Sequence, residues 1–336
     1  MNPQLDPFLE LARFPLMRLL PVLGANVEFR SNSARLLALA SHAFEGLPAH
    51  RWYRGNCRLS IHMRLVRRGN RPRRMPSAPK FSSVAGNLMA IVDADNFAML
   101  DPERRSALVQ VSDDMLAHAY HVRYELIEFA AITLATRAQL LLPLHAACVG
   151  WKGRGLLVLG DSGAGKSSFV LAALQHGLDL LSEDSVFVQP SDRRVTGIGS
   201  FVYVRPSGLH LISSSRLRDR VARAPLIRRR SGVRKRELDT RRMRARLARR
   251  PLEIVGTLVL SPHNGREGEL LRPIPRSRHA ALLRRLQPYA TRHPLWREFA
   301  ASLAARGAWR LLRGRDLDES IRAARALLEW PERRPA

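Results

Sequence analysis

The stretch that decides the fold of this chain is LLVLGDSGAGKS, residues Leu156–Ser167. Its first four residues form a continuous apolar run, which is typical of a buried central strand, and an amphipathic helix is predicted from Lys166 to about His176. The residues between match G-x-x-x-x-G-K-[ST], a loop whose backbone N–H groups can surround phosphate oxygens. A chance Gly-rich turn would not need a strand before it and a helix after it. The stretch therefore predicts an α/β fold with a nucleoside-triphosphate site, and we expect ATP with Mg²⁺.

Glycine, lysine and serine each have a different physical role in this loop. Glycine allows backbone angles and a close approach that a Cβ would hinder. Lys166 would reach the β- and γ-phosphates, and Ser167 would place its hydroxyl on Mg²⁺. We expect Lys166 to face solvent when no nucleotide is bound. The predicted nucleotide-binding residues are Gly160, Asp161, Ser162, Gly163, Ala164, Gly165, Lys166, Ser167 and Ser168.

Two features flank the loop at informative distances. His145 lies in a predicted strand, Leu144–Trp151, and the acidic pair Glu183-Asp184 follows the predicted strand Leu178–Leu181. In an α/β sheet such strand ends converge on the nucleotide site. One carboxylate could hold Mg²⁺ and the other could accept a proton from an attacking hydroxyl. The alternatives are a solvated turn for the pair and a core histidine for His145.

Three segments together, Leu144–Ala146, Gly160–Ser167 and Gly177–Asp184, resemble the catalytic domain of HPr kinase/phosphorylase. The resemblance implies a P-loop kinase core of the HPr kinase/phosphoenolpyruvate carboxykinase type, which phosphorylates a protein serine with ATP and Mg²⁺. It also implies that Glu183 is the catalytic base. Asp184 would assist Ser167 in holding Mg²⁺, and His145 would lie near the γ-phosphate or the acceptor hydroxyl.

This chain departs from the enzymes that act on HPr. The family usually has Asp-Asp where this chain has Glu183-Asp184, and often Glu where it has Ser168. No Gly-Arg-Asn type signature follows Leu260. We therefore expect an acceptor other than HPr, as in the divergent HPr-kinase-related proteins, some of which serve peptide-biosynthesis clusters. Lys235 is a weak match to a basic residue near the nucleotide in those relatives.

The predicted organisation has three parts. Residues 1–112 form a small α+β N-terminal region that includes a strand at Val84–Val92. Residues 113–290 form the kinase core, beginning with a long helix from Asp113 or Asp114 to near Arg137. Within it, Arg216–Arg250 is dense in Arg and predicts a mobile loop or a solvated helix. Residues 291–336 form a mainly helical C-terminal tail with a strand at Trp309–Leu312.

The charge balance is strongly basic, with 56 Lys and Arg against 29 Asp and Glu, a net charge of +27. Nearly all the positive charge is Arg, and no motif that reads RNA or DNA accompanies it, so a compositional preference explains it better than a nucleic-acid partner. The most apolar long segment, Ile127–Trp151, carries Glu128, Arg137, Pro143 and His145, which argues against a membrane span. The apolar stretch near the N-terminus is interrupted by Arg18 and Pro21 and is a poor signal peptide, so we expect a cytoplasmic location.

Three functions are compatible with these observations. The leading one is an ATP-dependent kinase that acts on a serine hydroxyl of a protein or peptide. The second is a kinase of a small hydroxylated metabolite. The third is a nucleotide-dependent binding module with little catalysis, in which Arg216–Arg250 contacts nucleic acid or a partner. The sequence leaves open the identity of the acceptor, the reverse phosphorylase reaction and whether the chain forms a homo-oligomer.

Overall fold

The structure is a computed structural model and describes residues 13–52, 57–68, 75–161, 163–243, 246–266, 269–314 and 316–329. The chain forms two compact units. One comprises the chain up to Glu45 and Tyr53–Gln139, and the other comprises Gly46–Trp52 and everything from Leu140. Both contain sheets and helices, so the predicted mixed α/β class is confirmed. The structure divides the chain after Gln139 rather than at residue 112.

The first unit is built on a sheet with helices packed against it. In chain order the strands are β1 (Leu16–Val22), β2 (Ala25–Ser31), β3 (Arg58–Val66), β4 (Lys80–Val84), β5 (Asn87–Ile91), β6 (Phe97–Asp101) and β7 (Ser106–Ser112). They form a seven-stranded sheet in the order β1-β2-β3-β7-β6-β5-β4 within the described residues. The helices are α1 (Ala34–Phe44), then a continuous helical segment made of a 3₁₀ turn (Met115–His118), α2 (Ala119–His121), a π-helical stretch (Val122–Glu128) and α3 (Phe129–Ala138).

This last helical segment explains the position of the unit boundary. Leu126, Ile127, Ala131 and Leu134 are all buried, and α3 packs against β3, β6 and β7. The segment covers the apolar face of the first sheet, so it belongs with that sheet and not with the second unit.

Two tight turns reverse the chain in the first unit, and one of them corrects a predicted strand. Ala85 and Gly86 both have positive φ, 47° and 82°, and join β4 to β5 as an antiparallel hairpin. The single strand predicted at Val84–Val92 is therefore wrong, because this turn reverses the chain near its start. Leu23 and Gly24, with φ of 51° and 91°, join β1 to β2 in the same way. Two positive φ values in a two-residue turn match the twist of the flanking strands.

The second unit contains the predicted nucleotide loop. Its strands are β8 (Leu142–Leu144), β9 (Ala147–Trp151), β10 (Arg154–Leu159), β11 (Asp179–Ser182), β12 (Val186–Gln189), β13 (Arg194–Gly197), β14 (Phe201–Val204), β15 (Leu226–Arg228), β16 (Arg234–Asp239), β17 (Leu252–Asn264), β18 (Leu271–Pro273) and β19 (Ala308–Arg313). A nine-stranded sheet runs β11-β9-β10-β17-β13-β12-β8 in the described chain, with β19 beside β17 and β18 beside β19. The central strand β10 is parallel to β17 and antiparallel to β9.

Helices cover both faces of this sheet. They are α4 (Lys166–Gln175), α6 (Arg276–Leu286), α7 (Trp296–Ala304) and α8 (Leu317–Glu329). A further helix, α5 (Ser215–Arg223), packs against β16, and 3₁₀ turns lie at Pro206–Leu211, Thr240–Met243 and Ala290–Arg292. One apolar core contains Phe169 of α4 and Leu328 of α8. The other contains Leu283 of α6 and Phe299 of α7. Because β19 pairs with β17, the predicted C-terminal tail is part of this unit.

The Arg-rich segment is folded, which corrects the expected mobile loop or solvated helix. It contains α5 and the strands β15 and β16, which form a three-stranded sheet with β14. Leu217, Val221, Ile227 and Leu238 are buried, so a few well-spaced apolar residues supply a core beneath many exposed arginines. In the described part of the chain, no helix has the length and apolar character that crossing a membrane requires.

Candidate functional site

The loop between β10 and α4 has glycine where the backbone requires it. Gly163 and Gly165 have φ of +88° and +100°, a region that L side chains rarely adopt. A Cβ on Gly160 would lie 2.8 Å from the Cβ of Ala164, which is too close for two carbon atoms. Ser162 lies outside the described residues. The strand, the turn and the helix start therefore occur where the sequence predicted them.

Lys166 is the first residue of α4, and its side chain reaches back to the start of the loop. Its Nζ donates a hydrogen bond to the carbonyl oxygen of Gly160 at 2.7 Å. Only 9% of the residue is exposed, so the expectation that Lys166 faces solvent is wrong, because its side chain folds across the loop. Burial lowers the pKa of Lys166, and the nearby charges of Asp184, Glu183 and Asp161 oppose that shift.

The buried carboxylate of Glu183 contacts Ser167, the residue that follows Lys166. The Oγ of Ser167 donates a hydrogen bond to Oε1 of Glu183, and Glu183 is 5% exposed. Burial and then repulsion from Asp184 raise the pKa of Glu183 to about 7, against the hydrogen bond from Ser167 and the positive charges of Lys235 and Arg229. The structure thus brings the predicted magnesium hydroxyl and the predicted base into direct contact.

The second carboxylate of the acidic pair faces the predicted histidine. Nδ1 of His145 lies 3.5 Å from Oδ1 of Asp184, and the two side chains are 55% and 43% exposed. His145 lies between β8 and β9 and not inside one continuous strand, because β8 pairs with β12 while β9 pairs with β10 and β11. The break leaves the imidazole at the surface beside Asp184.

A buried glutamine fixes the backbone of His145 at this break. The backbone N–H of His145 donates to Oε1 of Gln287 at 2.8 Å, and Nε2 of Gln287 donates to the carbonyl oxygen of His145 at 2.9 Å. The Gln287 residue is 3% exposed. One amide therefore satisfies both backbone groups of His145, as a neighbouring strand would, and holds the residue in place.

Basic side chains of the three-stranded sheet and its loops lie near the site. Arg229 and Lys235 both act on the pKa of Glu183 through their charges. The Arg229 guanidinium lies over the ring of Tyr203, 4.4 Å from its centroid. Arg205, just after β14, brings its Nη1 to 3.9 Å from the point where a Cβ on Gly163 would sit. The folded Arg-rich segment therefore contributes cations to the loop.

The remaining loop residues take the following positions. Asp161 is 71% exposed on its side chain and its Oδ2 lies 3.5 Å from Nη2 of Arg285. The hydroxyl of Ser168 lies 3.7 Å from the position of a Cβ on Gly208. Sequence reasoning missed Arg205, Arg229 and Gln287. The two arginines are hidden among 56 basic residues, whereas Lys235 was noticed through its weak match to the pattern of the HPr-kinase-related proteins.

The donor set at the loop is suited to a hard cation that binds together with phosphate. Hydroxyl and carboxylate oxygens come from Ser167, Glu183 and Asp184, and Mg²⁺ favours oxygen ligands. No group of three or more His, Cys, Asp and Glu side chains that could hold a metal occurs among the described residues. Mg²⁺ sites of nucleotide enzymes use one or two carboxylates and complete their shell with phosphate and water, so the residues at the loop fit that kind of site.

Comparisons with known proteins give a distant similarity. No protein-family model matches the chain, and no curated protein matches it. Among solved structures, the chain is similar to the Hpr(Ser) kinase/phosphatase from Coxiella burnetii, at 12% identity and a TM-score of 0.29, over 55% of this chain and 96% of that chain. The similarity concerns the fold only.

Proposed function

We propose that this chain is an ATP- and Mg²⁺-dependent phosphotransferase that acts on a serine hydroxyl of a protein or peptide, on an HPr-kinase-like core. The observation that carries the proposal is the hydrogen bond between Ser167 and Glu183. This bond joins Ser167, the predicted Mg²⁺ ligand, to the buried carboxylate of Glu183. The pKa of that carboxylate is raised to about 7. A pure binding site has no need for a carboxylate with a pKa near neutrality beside its phosphate loop, whereas a proton acceptor does.

The loop would hold the phosphates of the nucleotide. Backbone N–H groups between Gly160 and Gly165, together with the N-terminus of α4, present positive potential to anions. Lys166 adds an ammonium group, and it would exchange its hydrogen bond to Gly160 for phosphate oxygens. Arg205 lies beside Gly163 of the loop. Ser167 and Asp184 would hold Mg²⁺, which would neutralise charge on the phosphates.

The transfer step that we propose conserves atoms and charge. The serine oxygen of the acceptor forms a bond to the γ-phosphorus, and the bond from that phosphorus to the β–γ bridging oxygen breaks. The electron pair of the broken bond stays with ADP, and the serine proton passes to Glu183. A base with a pKa near the working pH combines a useful ionised fraction with sufficient proton affinity, which favours Glu183 for this role.

His145 would act on the acceptor side, beside the proposed Mg²⁺ ligand Asp184. Both are about half-exposed, and their side chains lie 3.5 Å apart, so they can contact a polypeptide that approaches from solvent. Asp184 is also the alternative base, because it is the more exposed of the two carboxylates. Single variants of Glu183 and Asp184 distinguish these assignments.

The direct test is a transfer assay with γ-labelled ATP, Mg²⁺ and a library of serine-containing peptides, with the product located by mass spectrometry. The parent should yield phosphoserine. Because Lys166 is buried, Lys166→Met preserves much of its volume and removes the charge, and it should yield none. Lys152→Met, at an exposed lysine in the turn between β9 and β10, is the matched control and should react as the parent does. A labelled free metabolite as the only product would contradict the proposed acceptor.

A further inference from the structure

A groove of about 680 Å³ lies in the second unit, at the opposite end of β10 from the nucleotide loop. It is open to solvent and is bordered by the turn before β10, the start of β11 and the chain that leads into β17. Its lining residues are Gly46, Pro48, Gly153, Asp179, Arg241, Arg246, Leu247, Ala248, Arg249, Arg250 and Leu252. These described lining residues include four arginines and one aspartate, so the lining has a net charge of +3.

Two of the arginines are held in fixed positions. Nε of Arg246 pairs with Oδ1 of Asp179 at 3.0 Å, and its guanidinium lies over the ring of Trp151, 5.3 Å from the centroid. Arg241 donates from Nε and Nη2 to the two oxygens of Asp239 at 2.9 and 3.0 Å. A guanidinium that is already held loses little conformational entropy when it binds an anion. An arginine that only solvates a surface would not need such supports.

The other two arginines supply charge that the described part of the chain does not neutralise. Arg249 and Arg250 are exposed, and neither forms an ion pair with a described residue. Both follow the short bridge in which Leu247 pairs with Leu180 beside the edge strand β11. That bridge fixes the chain next to them, so the two guanidinium groups project from an anchored segment.

We propose that this groove binds an acidic segment of a polypeptide, namely a docking sequence of the serine-containing acceptor. The inference rests on the proposed function for the identity of the polypeptide. Carboxylates are the natural partners of the Arg249 and Arg250 guanidinium groups, while Arg241 and Arg246 already pair with Asp239 and Asp179 and add to the positive lining. Pro48 and Leu247 add apolar surface, which suits the aliphatic parts of a peptide. The described lining includes no aromatic side chain on which a nucleic-acid base could stack, so a peptide fits better than a single-stranded nucleic acid.

The strand β11 relates the groove to the proposed base. Asp179 is the first residue of β11, and Glu183 directly follows its last residue, Ser182. Four residues of extended chain span about 13 Å. A peptide held in the groove would therefore need about four or more residues between its acidic segment and the serine that reaches Glu183. The groove would act as a docking site that is separate from the site of transfer.

Binding can be measured on the full chain without ATP. The probes are a fluorescein-labelled peptide with six consecutive glutamates, a Gly-Ser peptide of equal length, and a labelled dT12 oligonucleotide. The variant Arg249→Gln/Arg250→Gln removes the two unneutralised charges, and Arg276→Gln/Arg278→Gln removes two exposed charges from α6 as a matched control. By fluorescence anisotropy, the glutamate peptide should bind the parent and the control equally. It should bind the groove variant about fivefold to thirtyfold more weakly, as expected for two partly exposed ion pairs.

The possible results separate this inference from the proposed function. Equal affinity of the parent and the groove variant for the glutamate peptide would overturn the inference, as would an equal loss in both arginine variants. Tighter binding of dT12 than of the glutamate peptide, lost in the groove variant, would assign the groove to nucleic acid instead. Lys166→Met should bind the glutamate peptide as the parent does. Retained peptide binding in a protein that fails to transfer phosphate would leave the groove assignment standing while the proposed function fails.

Discussion

At the scale of single residues, two adjacent carboxylates, Glu183 and Asp184, have different surroundings. Glu183 is buried and accepts a hydrogen bond from Ser167. Asp184 is 43% exposed on its side chain and faces His145. The sequence could locate both, because they follow a strand at a set distance from the loop. It could not show which one is buried, because burial depends on residues that lie far away in the chain.

Exchanging each carboxylate for its amide tests these roles. If Glu183 is the base, it must be ionised, so the transfer rate should rise with pH up to about 7 and then level off. Glu183→Gln should lower transfer by about 10²–10⁴-fold and leave ATP binding largely intact. Asp184→Asn should retain the rise with pH. Transfer by Glu183→Gln at the parent rate would move the base role to Asp184 and His145.

Stability provides the control for the Glu183 variant. The pKa of Glu183 is higher in the folded protein, about 7, than its ordinary value of 4.5. Its ionisation therefore favours the unfolded state, and the free energy of unfolding should fall as pH rises from about 4.5 through 7. Glutamine stays neutral over this range, so Glu183→Gln should be no less stable than the parent at pH 8. Thermal denaturation at pH 5 and 8 checks this directly.

At the scale of elements, strands and helices with a local sequence pattern could be predicted, whereas the pairing of distant strands could not. The strand β10 and the helix α4 follow from a local pattern of residues, and both were predicted. The break at His145 arises because β8 and β9 pair with different strands, which no local pattern records. The fold of the Arg-rich segment was mispredicted for a related reason. Its core rests on a few apolar residues, such as Val221 and Leu238, that pack against distant parts of the chain.

The element-scale prediction concerns the residue that caps α6, Gln287. Gln287→Leu removes both hydrogen bonds to the His145 backbone and leaves two part-buried backbone groups without them, at a cost of about 0.5–1.5 kcal/mol each. Because small displacements of reacting groups are costly, we expect transfer to fall about tenfold or more with little change in ATP affinity.

A matched control exists in the first unit. Gln139 also donates from Nε2 to backbone carbonyls, those of Leu23 and Ala135. Gln139→Leu should leave the transfer rate unchanged. If it slows transfer as much as Gln287→Leu does, the effect of Gln287 is one of general stability and not of positioning His145.

At the scale of the whole molecule, the mixed α/β class could be predicted, but the division of the chain could not. The sequence placed a boundary at residue 112, whereas the helical segment that follows covers the first sheet. The segment Gly46–Trp52 belongs to the second unit. There the ring nitrogens of His50 lie 2.5 Å from Oγ1 of Thr196 and 2.7 Å from the carbonyl oxygen of Ala248. Such contacts span more than a hundred residues, which periodicity within a short window does not detect.

The measurement that tests the central claim most directly is calorimetric titration of the full chain with Mg·ATP. The parent and Lys152→Met should bind with similar affinity. Lys166→Met should lose at least about tenfold, because it removes a charged partner of the phosphates, while its circular dichroism spectrum stays that of the parent. A folded Lys166→Met protein that binds Mg·ATP as tightly as the parent would contradict the assignment of Gly160–Ser167 as the nucleotide loop.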